Sequence, residues 1–263
     1  MKNLWKHWPE VRERFIHRKK ILLLLDFDGT LSPLVKNPNK AKLPRRLRTS
    51  LRELRDMPRV RVAIMSGRPL SYLKSEIGLR RVHYGSNHGL EITGPALSFR
   101  HSAAAAARPL LQRLARRVKR ALRSVPGSHL EDKGLTLSLH YRAVPAPHRK
   151  AFFGILRRAK SRTAGLPLLW TSGRKVWELR PKLLWDKGKA GLHLVRRLGN
   201  PFPIVIGDDR TDEDMFASLR ERGLAIRVGR GKGSAAEFYL RRQTDVLRFL
   251  NAVRRDLSAR REP

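Results

Sequence analysis

The sequence predicts an α/β protein whose parallel β-sheet is interrupted by an inserted α+β segment. Short apolar runs without alternation, of which Ile21–Leu25 is the first, take turns with segments of helical hydrophobic spacing, as in βαβ units. Within about residues 98–181 the order changes to helix, two strands, helix, two strands, which is typical of an antiparallel sheet. We therefore expect a core domain from residues 1–97 and 182–263, and a second domain at 98–181.

The elements of the first core segment follow from its hydrophobic spacing. Residues 1–20 are predicted to form a basic amphipathic lead-in helix. The apolar run Val60–Met65 predicts a second buried strand, and Leu47, Leu51 and Leu54 have the spacing of a helix before it. The predicted order is a strand at 21–25, a helix at 44–55, a strand at 60–65, a helix at 69–77 and a strand at 82–84.

The inserted segment and the second core segment can be assigned in the same way. A long Ala/Arg/Leu helix is expected at 102–124, and alternating Leu135, Leu137 and Leu139 predict a hairpin after it. Thr211 is expected to cap the helix that begins there. The remaining predictions are hairpin strands at 129–133 and 136–141, a helix at 147–164, strands at 168–171 and 175–179, a helix at 187–198, a strand at 203–206, a helix at 211–219, a strand at 225–228 and a helix at 244–257.

The composition is strongly basic. The 263 residues include 58 Lys and Arg against 22 Asp and Glu, a formal net charge of +36. Such a charge attracts polyanions and anionic small molecules. Because the arginines recur along the whole chain instead of in one tail, we expect non-specific polyanion binding at most, not a dedicated nucleic-acid-binding protein.

Cysteine is absent, which excludes disulfides and thiolate chemistry and favours a cytoplasmic location. No apolar run is long enough to span a bilayer, and the basic N-terminal segment lacks the apolar stretch of a secretory signal. We expect no membrane partner, and a monomer.

Polar residues follow three of the predicted parallel strands. The carboxyl ends of parallel strands share one edge of a sheet, where ligands bind. A lysine at the start of a later core helix can reach the same edge. The residues expected to converge there are Asp26, Asp28, Ser66, Lys187, Asp208 and Asp209.

Asp26 and Asp28 are only one residue apart at the end of an apolar strand. Close carboxylates repel each other, and a divalent cation relieves the repulsion. Mg²⁺ is the usual cation for oxygen ligands beside a phosphate. The alternative is a solvated turn, since Asp and Gly are ordinary turn residues.

In this order the motifs resemble those of the haloacid dehalogenase-like (HAD) phosphatases and, among them, the trehalose-6-phosphate phosphatases. The resemblance covers about residues 21–215. It implies a HAD-like Rossmannoid core with a parallel sheet and an inserted α+β cap of the C2 type. The motifs are DFDGTLSP at 26–33, SGR at 66–68, NHGLE at 87–91, EDKG at 131–134, HYR at 140–142, ELRP at 178–181 and GDDRTDE at 207–213.

The resemblance implies an Mg²⁺-dependent phosphatase that hydrolyses trehalose 6-phosphate in trehalose biosynthesis. Asp26 would attack phosphorus to form an aspartyl-phosphate, and Asp28 would act as general acid and then as base. Ser66 and Lys187 would bind the phosphoryl oxygens; their alternatives are a helix cap and a surface lysine. The implied metal ligands are Asp26, Asp28 through its backbone carbonyl, Asp208 and Asp209. Asp212 would support them or simply be an acid at a helix N-terminus.

The inserted domain would act as a lid that contacts the sugar hydroxyls. Asn87 and His88 have the alternative of a hydrogen-bonded loop. The substrate-binding residues that the resemblance implies are Glu131, Lys133, Arg142 and Glu178 in the inserted domain, and Arg68, Asn87, His88 and Glu91 in the core.

Two other functions remain open from the sequence. The same chemistry could act on another sugar phosphate, such as sucrose phosphate or mannosyl-phosphoglycerate. A basic polyanion-binding protein on the same fold is the alternative from a different class, and the complete set of motif residues argues against it.

Overall fold

In the computed structural model of the protein, the apolar run Ile21–Leu25 forms a strand inside a nine-stranded sheet. All of its side chains are buried, and they alternate between the two faces of the sheet. Ile21, Leu23 and Leu25 belong to one hydrophobic core, and Leu22 and Leu24 to another. A strand without polar alternation is what a sheet covered on both faces requires.

The structure describes residues 1–35, 40–173 and 175–259. The chain divides into two compact units. The first unit consists of Met1–Phe99 together with Trp185–Pro263, and the second is Arg100–Leu184.

The strands are β1 (Lys2–Asn3), β2 (Ile21–Leu25), β3 (Val60–Met65), β4 (His83–Ser86), β5 (Glu91–Gly94), β6 (Leu97–Arg100), β7 (His129–Asp132), β8 (Leu137–His140), β9 (Leu168–Gly173), β10 (Val176–Pro181), β11 (Phe202–Gly207), β12 (Leu224–Val228) and β13 (Phe238–Leu240). The α-helices are α1 (Trp8–Ile16), α2 (Arg45–Asp56), α3 (Leu70–Ile77), α4 (Ser102–Leu122), α5 (Arg149–Arg162), α6 (Lys187–Arg197), α7 (Asp212–Leu219) and α8 (Asp245–Ser258).

The larger sheet has the order β1-β13-β12-β11-β2-β3-β4-β5-β6. Its pairs from β1 to β4 are parallel, and β5 is antiparallel to β4. Leu25 at the end of β2 lies opposite Ile206 of β11 on one side and Ile64 of β3 on the other. This register brings the residues that follow these three strands to one edge.

Helices cover both faces of this sheet. Side chains of α1, α2, α3 and α8 join the core that contains Leu23, and side chains of α6 and α7 join the core that contains Leu24. The predicted α/β class with a parallel sheet is confirmed. No helix among the described residues is both long and apolar enough to cross a bilayer.

The second unit has a four-stranded antiparallel sheet in the order β7-β8-β10-β9. Helices α4 and α5 pack against Leu137, Leu139 and Leu179 of this sheet in one hydrophobic core. Because side chains alternate along a strand, Ser138 and Glu178 point to the other face.

The N-terminal region differs from the prediction. A helix was expected over residues 1–20, but only Trp8–Ile16 is α-helical, and Lys2–Asn3 instead pairs with β13 at the edge of the sheet. The short strands β5, β6 and β13 were not predicted. Their mixed polarity gives no period, and long-range pairing decides their structure.

Candidate active site

Asp26 and Asp208 lie side by side at the carboxyl edge of the larger sheet. They directly follow the paired parallel strands β2 and β11, and the amide of Asp26 donates to the carbonyl of Ile206 at 2.9 Å. Only 4% of Asp26 is exposed. The predicted meeting of these two sequence motifs is therefore present in the structure.

Asp212, the first residue of α7, completes an acidic cluster with them. Asp26, Asp208 and Asp212 each offer a carboxylate oxygen within 4.8 Å of the others. Oδ2 of Asp212 accepts the amides of Asp208 at 2.9 Å and Asp209 at 3.1 Å, so this carboxylate also fixes the loop after β11.

Lys187 is the buried cation of the cluster. It begins α6, is 2% exposed, and donates from Nζ to Oδ1 of Asp26 at 2.7 Å and to Oδ1 of Asp212 at 2.8 Å. Burial alone would lower the pKa of Lys187, but the charges of Asp26 and Asp212 outweigh burial and raise it. The alternative of a surface lysine is wrong.

The cluster fits a divalent cation. Oδ2 of Asp26 and Oδ1 of Asp208 are buried and have no hydrogen-bond partner among the described residues. Three carboxylates against one ammonium group leave two negative charges uncompensated. Burial and the neighbouring carboxylates accordingly raise the pKa of Asp26 and raise that of Asp208 to about 7. Two open carboxylate oxygens in this setting are suited to Mg²⁺.

Gly29 makes room for Asp208. Its φ of +87° lies in the region that favours glycine, and a Cβ at this position would collide with the carboxylate of Asp208. Gln243 supports the same loop, because its side-chain amide donates to the carbonyls of Thr30 at 3.0 Å and Leu31 at 3.2 Å. No local sequence pattern marks Gln243, which comes from a distant part of the chain.

Arg68 binds the carboxylate of Asp28 at two points. Nε donates to Oδ2 at 2.8 Å and Nη2 to Oδ1 at 2.6 Å, and the guanidinium group lies 4.7 Å from the ring centroid of Tyr72. Arg68 was predicted to contact substrate, and the structure shows this further contact with Asp28. The substrate-binding role stays a prediction.

Asp209 differs from Asp208 in that its carboxylate accepts hydrogen bonds from the residues that follow it. Its Oδ1 accepts the amide and the hydroxyl of Thr211, each at 2.8 Å, and the amide of Asp212 at 3.2 Å. The expected helix cap by the Thr211 side chain is therefore wrong, since Asp209 accepts these hydrogen bonds. The structure groups Asp212 with Asp26 and Asp208, and metal binding by Asp209 and by the Asp28 carbonyl stays a prediction.

Ser66 follows β3 at the same edge of the sheet. It is 1% exposed, and its hydroxyl accepts the amide of Arg68 at 3.2 Å. It does not cap α3, which begins at Leu70 after Pro69. The alternative of a helix cap is therefore wrong, and phosphoryl binding by Ser66 stays a prediction.

The NHGLE motif forms a tight turn between β4 and β5. Asn87 and His88 have positive φ angles of 49° and 57°, and the amide of Asn87 donates to the carbonyl of Arg68 at 3.1 Å. Glu91 accepts from the hydroxyl of Ser86 at 3.3 Å. These contacts fit the alternative of a hydrogen-bonded loop, and substrate binding by Asn87, His88 and Glu91 stays a prediction.

In the second unit, polar side chains form two hydrogen-bonded groups on the sheet. Glu178 accepts from Lys133 and from Thr136, each at 3.3 Å. His140 and Glu131 are 3.1 Å apart between Nε2 and Oε2. Arg142 follows β8 and is exposed. Sugar binding by Glu131, Lys133, Arg142 and Glu178 stays a prediction.

The trehalose-phosphatase family model matches residues 24–244. Curated relatives include the probable trehalose-phosphate phosphatase I of Arabidopsis thaliana, 35% identical over 89% of this chain and 68% of that protein. The trehalose 6-phosphate phosphatase RA3 of Zea mays is 34% identical over 92% of this chain and 72% of its own.

Solved structures share the fold. The C-terminal domain of Candida albicans trehalose-6-phosphate phosphatase superposes with a TM-score of 0.73 at 24% identity, covering 94% of this chain and 96% of that one. A haloacid dehalogenase-like hydrolase from Bacteroides thetaiotaomicron has a TM-score of 0.63 at 18% identity, over 90% of this chain and 99% of that one. The predicted HAD-like architecture is confirmed.

Proposed function

Because the chain belongs to the trehalose-phosphatase family, we propose that it hydrolyses trehalose 6-phosphate to trehalose and inorganic phosphate, a step of trehalose biosynthesis. The observation that carries the proposal is the open, buried Oδ2 of Asp26, whose other oxygen is fixed by Lys187. A carboxylate held in this way presents one oxygen to an incoming phosphorus atom.

Asp26 acts as the nucleophile. Its Oδ2 forms a bond to phosphorus while the bond from phosphorus to the sugar oxygen breaks, which leaves an aspartyl-phosphate. Lys187 keeps the attacking carboxylate in place and neutralises charge beside it. Ser66, at the end of the neighbouring strand, donates its hydroxyl to a phosphoryl oxygen.

Asp28 moves the protons. Its carboxyl group protonates the leaving sugar oxygen in the first step. In the second step it accepts a proton from the water that attacks phosphorus, and the bond to Asp26 breaks as phosphate leaves. Arg68 orients the Asp28 carboxylate through its two hydrogen bonds.

Asp208, through its open Oδ1, and the carboxylate of Asp26 would hold Mg²⁺, together with the backbone carbonyl of Asp28 and with Asp209. A cation bound there would supply positive charge to offset that of the phosphoryl group and of the acidic cluster. Asp212 positions the Asp208 loop through its two backbone hydrogen bonds.

The second unit supplies the contacts that recognise the sugar. A disaccharide presents many hydroxyl groups, and charged donors and acceptors bind them strongly. Glu131, Lys133, Arg142 and Glu178 serve this role, with Arg68, Asn87, His88 and Glu91 from the first unit. A cytoplasmic location, which we base on the cysteine-free sequence, and a monomeric state both stay predictions.

The test is phosphate release from a panel of substrates with added Mg²⁺. We expect trehalose 6-phosphate to be hydrolysed faster than sucrose phosphate and mannosyl-phosphoglycerate. A different best substrate would contradict the proposed specificity but leave the proposed chemistry intact.

The nucleophile is tested with a pair of variants. Asp26→Asn should remove turnover, while Asp56→Asn, which changes an exposed carboxylate on α2, should not. Full turnover by the Asp26 variant would contradict the mechanism.

A further inference from the structure

Helices α4 and α5 of the second unit have a basic outer surface. Both helices contain several arginines and lysines and neither contains an aspartate or a glutamate. Their apolar sides are buried against the antiparallel sheet, so the charged side chains project outward. The strong positive charge of the sequence is thus locally concentrated here, although the arginines occur along the whole chain.

A groove of about 390 Å³ runs between the two helices. Arg117 and Arg120 line it from α4, and Arg158 and Arg162 line it from α5. All four are exposed. The floor is apolar, with side chains such as Val118, which is 4% exposed. Residues three or four apart lie on one helix face, so each helix presents a row of guanidinium groups to the groove.

These four charges have no compensation within the described residues. None of them is in an ion pair or a side-chain hydrogen bond there. Other arginines differ: Arg14 pairs with Glu237 and Arg227 with Glu213, both at 2.5 Å. Like charges three or four residues apart destabilise a helix, so the arrangement is unfavourable unless an anion joins it.

We propose that this groove binds the phosphate backbone of nucleic acid without recognising base sequence. Guanidinium groups bind phosphate through two hydrogen bonds, and two rows of them match a ligand with repeated phosphates. None of the described residues that line the groove is aromatic, so bases have no side chain on which to stack. Contacts to the backbone alone carry no sequence information.

Two features favour nucleic acid over an anionic membrane. The surface is a concave groove, whereas a bilayer is flat. Peripheral membrane helices also insert large apolar side chains beside their basic ones. The exposed large apolar residues of the second unit, Phe153, Leu169 and Leu184, do not line the groove.

The test is a salt titration of binding to a short fluorescent DNA duplex of mixed sequence, measured by fluorescence anisotropy. The groove variant changes Arg117, Arg120, Arg158 and Arg162 to Gln in the full chain. The logarithm of the binding constant falls as the logarithm of the salt concentration rises, and each phosphate contact contributes about 0.9 to the steepness of this fall. We expect the groove variant to be shallower by about three to four, because four contacts are lost. Its affinity at low salt should be weaker by on the order of a hundredfold.

The matched control removes the same charge from the first unit. Arg45, Arg46, Arg52 and Arg197 are exposed on α2 and α6, and changing all four to Gln should leave the slope almost unchanged. Equal effects of the two variants would overturn the proposal, because the charge would then act diffusely. Tighter binding to phosphatidylserine vesicles or to a phosphopeptide than to the duplex would also overturn it.

Folding is monitored by circular dichroism. All eight positions are exposed, so both variants should melt close to the temperature of the unchanged protein. A third variant with Lys at the four groove positions keeps the charge but loses the paired hydrogen bonds. It should retain the salt slope and bind several times more weakly.

The groove residues do not belong to the candidate active site. Failure of this proposal would therefore leave the proposed phosphatase activity untouched.

Discussion

Both carboxylate oxygens of Asp28 accept hydrogen bonds from the guanidinium group of Arg68, at 2.8 and 2.6 Å. Only 9% of Arg68 is exposed, and its side chain lies against the ring of Tyr72. The carboxylate that handles the protons in the proposed reaction is thus held by a planar group fixed on another strand end.

We expect Arg68→Lys to lower kcat on trehalose 6-phosphate by on the order of tenfold, because Lys keeps the charge but cannot make two parallel hydrogen bonds. Steady-state kinetics measure the effect. Tyr72→Leu removes the ring beneath the guanidinium group and serves as a milder comparison. If only KM rose in the Lys variant, Arg68 would act through substrate contact alone, which would contradict its role in orienting Asp28.

Lys187→Met should destabilise the metal-free protein by about 3–5 kcal/mol, because it leaves buried carboxylates without their cation. Urea unfolding in the presence of a chelator gives the free energy. The double variant Lys187→Met with Asp212→Asn removes one of the opposing charges, and it should recover part of the loss. No recovery would mean that the loss comes from packing and not from charge.

Asp208 makes the stability of the metal-free protein dependent on pH. Its pKa is raised to about 7 in the folded protein, against an unfolded value near 4. The folded state therefore binds more protons between these values, and stability falls as pH rises from about 4 to about 7. The loss is at most about 4 kcal/mol, since solvent partly reaches the group.

Thermal melting with a chelator, compared with Asp208→Asn, isolates this contribution. The difference in free energy between the two proteins should change across that pH range and be flat above it. Saturating Mg²⁺ should reverse the trend, because the cation binds the ionised carboxylates. A constant difference between the two proteins would show that Asp208 ionises normally.

Glu178→Gln in the second unit should raise KM for trehalose 6-phosphate by on the order of tenfold, because a charged acceptor for sugar hydroxyls is lost. Hydrolysis of p-nitrophenyl phosphate, which has no sugar, should be unchanged. Asp132→Asn is the control, since this carboxylate accepts the amide of Gly134 at 2.8 Å and an amide oxygen can do the same. Equal losses with both substrates would argue against sugar recognition by Glu178.

The sequence predicted most of what positions the site. Buried strands such as Ile21–Leu25 have an apolar pattern that is typical of a covered parallel sheet, and their ends locate Asp26 and Asp208. The edge strand β1, in contrast, has two residues and depends on pairing with β13. No local pattern contains that information.

In the candidate site, too, the sequence motifs indicate which residues are present, whereas tertiary contacts decide which of them pair. Asp208, Asp209 and Asp212 belong to one motif, but only the turn into α7 decides that Asp212 joins the buried cluster and that Asp209 binds Thr211. The pairing of Asp28 with Arg68 depends on two strand ends that are 40 residues apart. Chemical type and spacing indicate which residues meet, whereas partner choice follows from tertiary geometry.

The close approach of Gly29 to Asp208 makes two positions that are far apart in the sequence depend on each other. Gain of even a methyl group at position 29 would push aside a side chain that belongs to another motif. The side chain of Asp208 therefore limits which residues position 29 can accept, although Gly29 itself performs no chemistry. In a mutational screen, loss-of-function alleles at position 29 should be grouped with those at position 208.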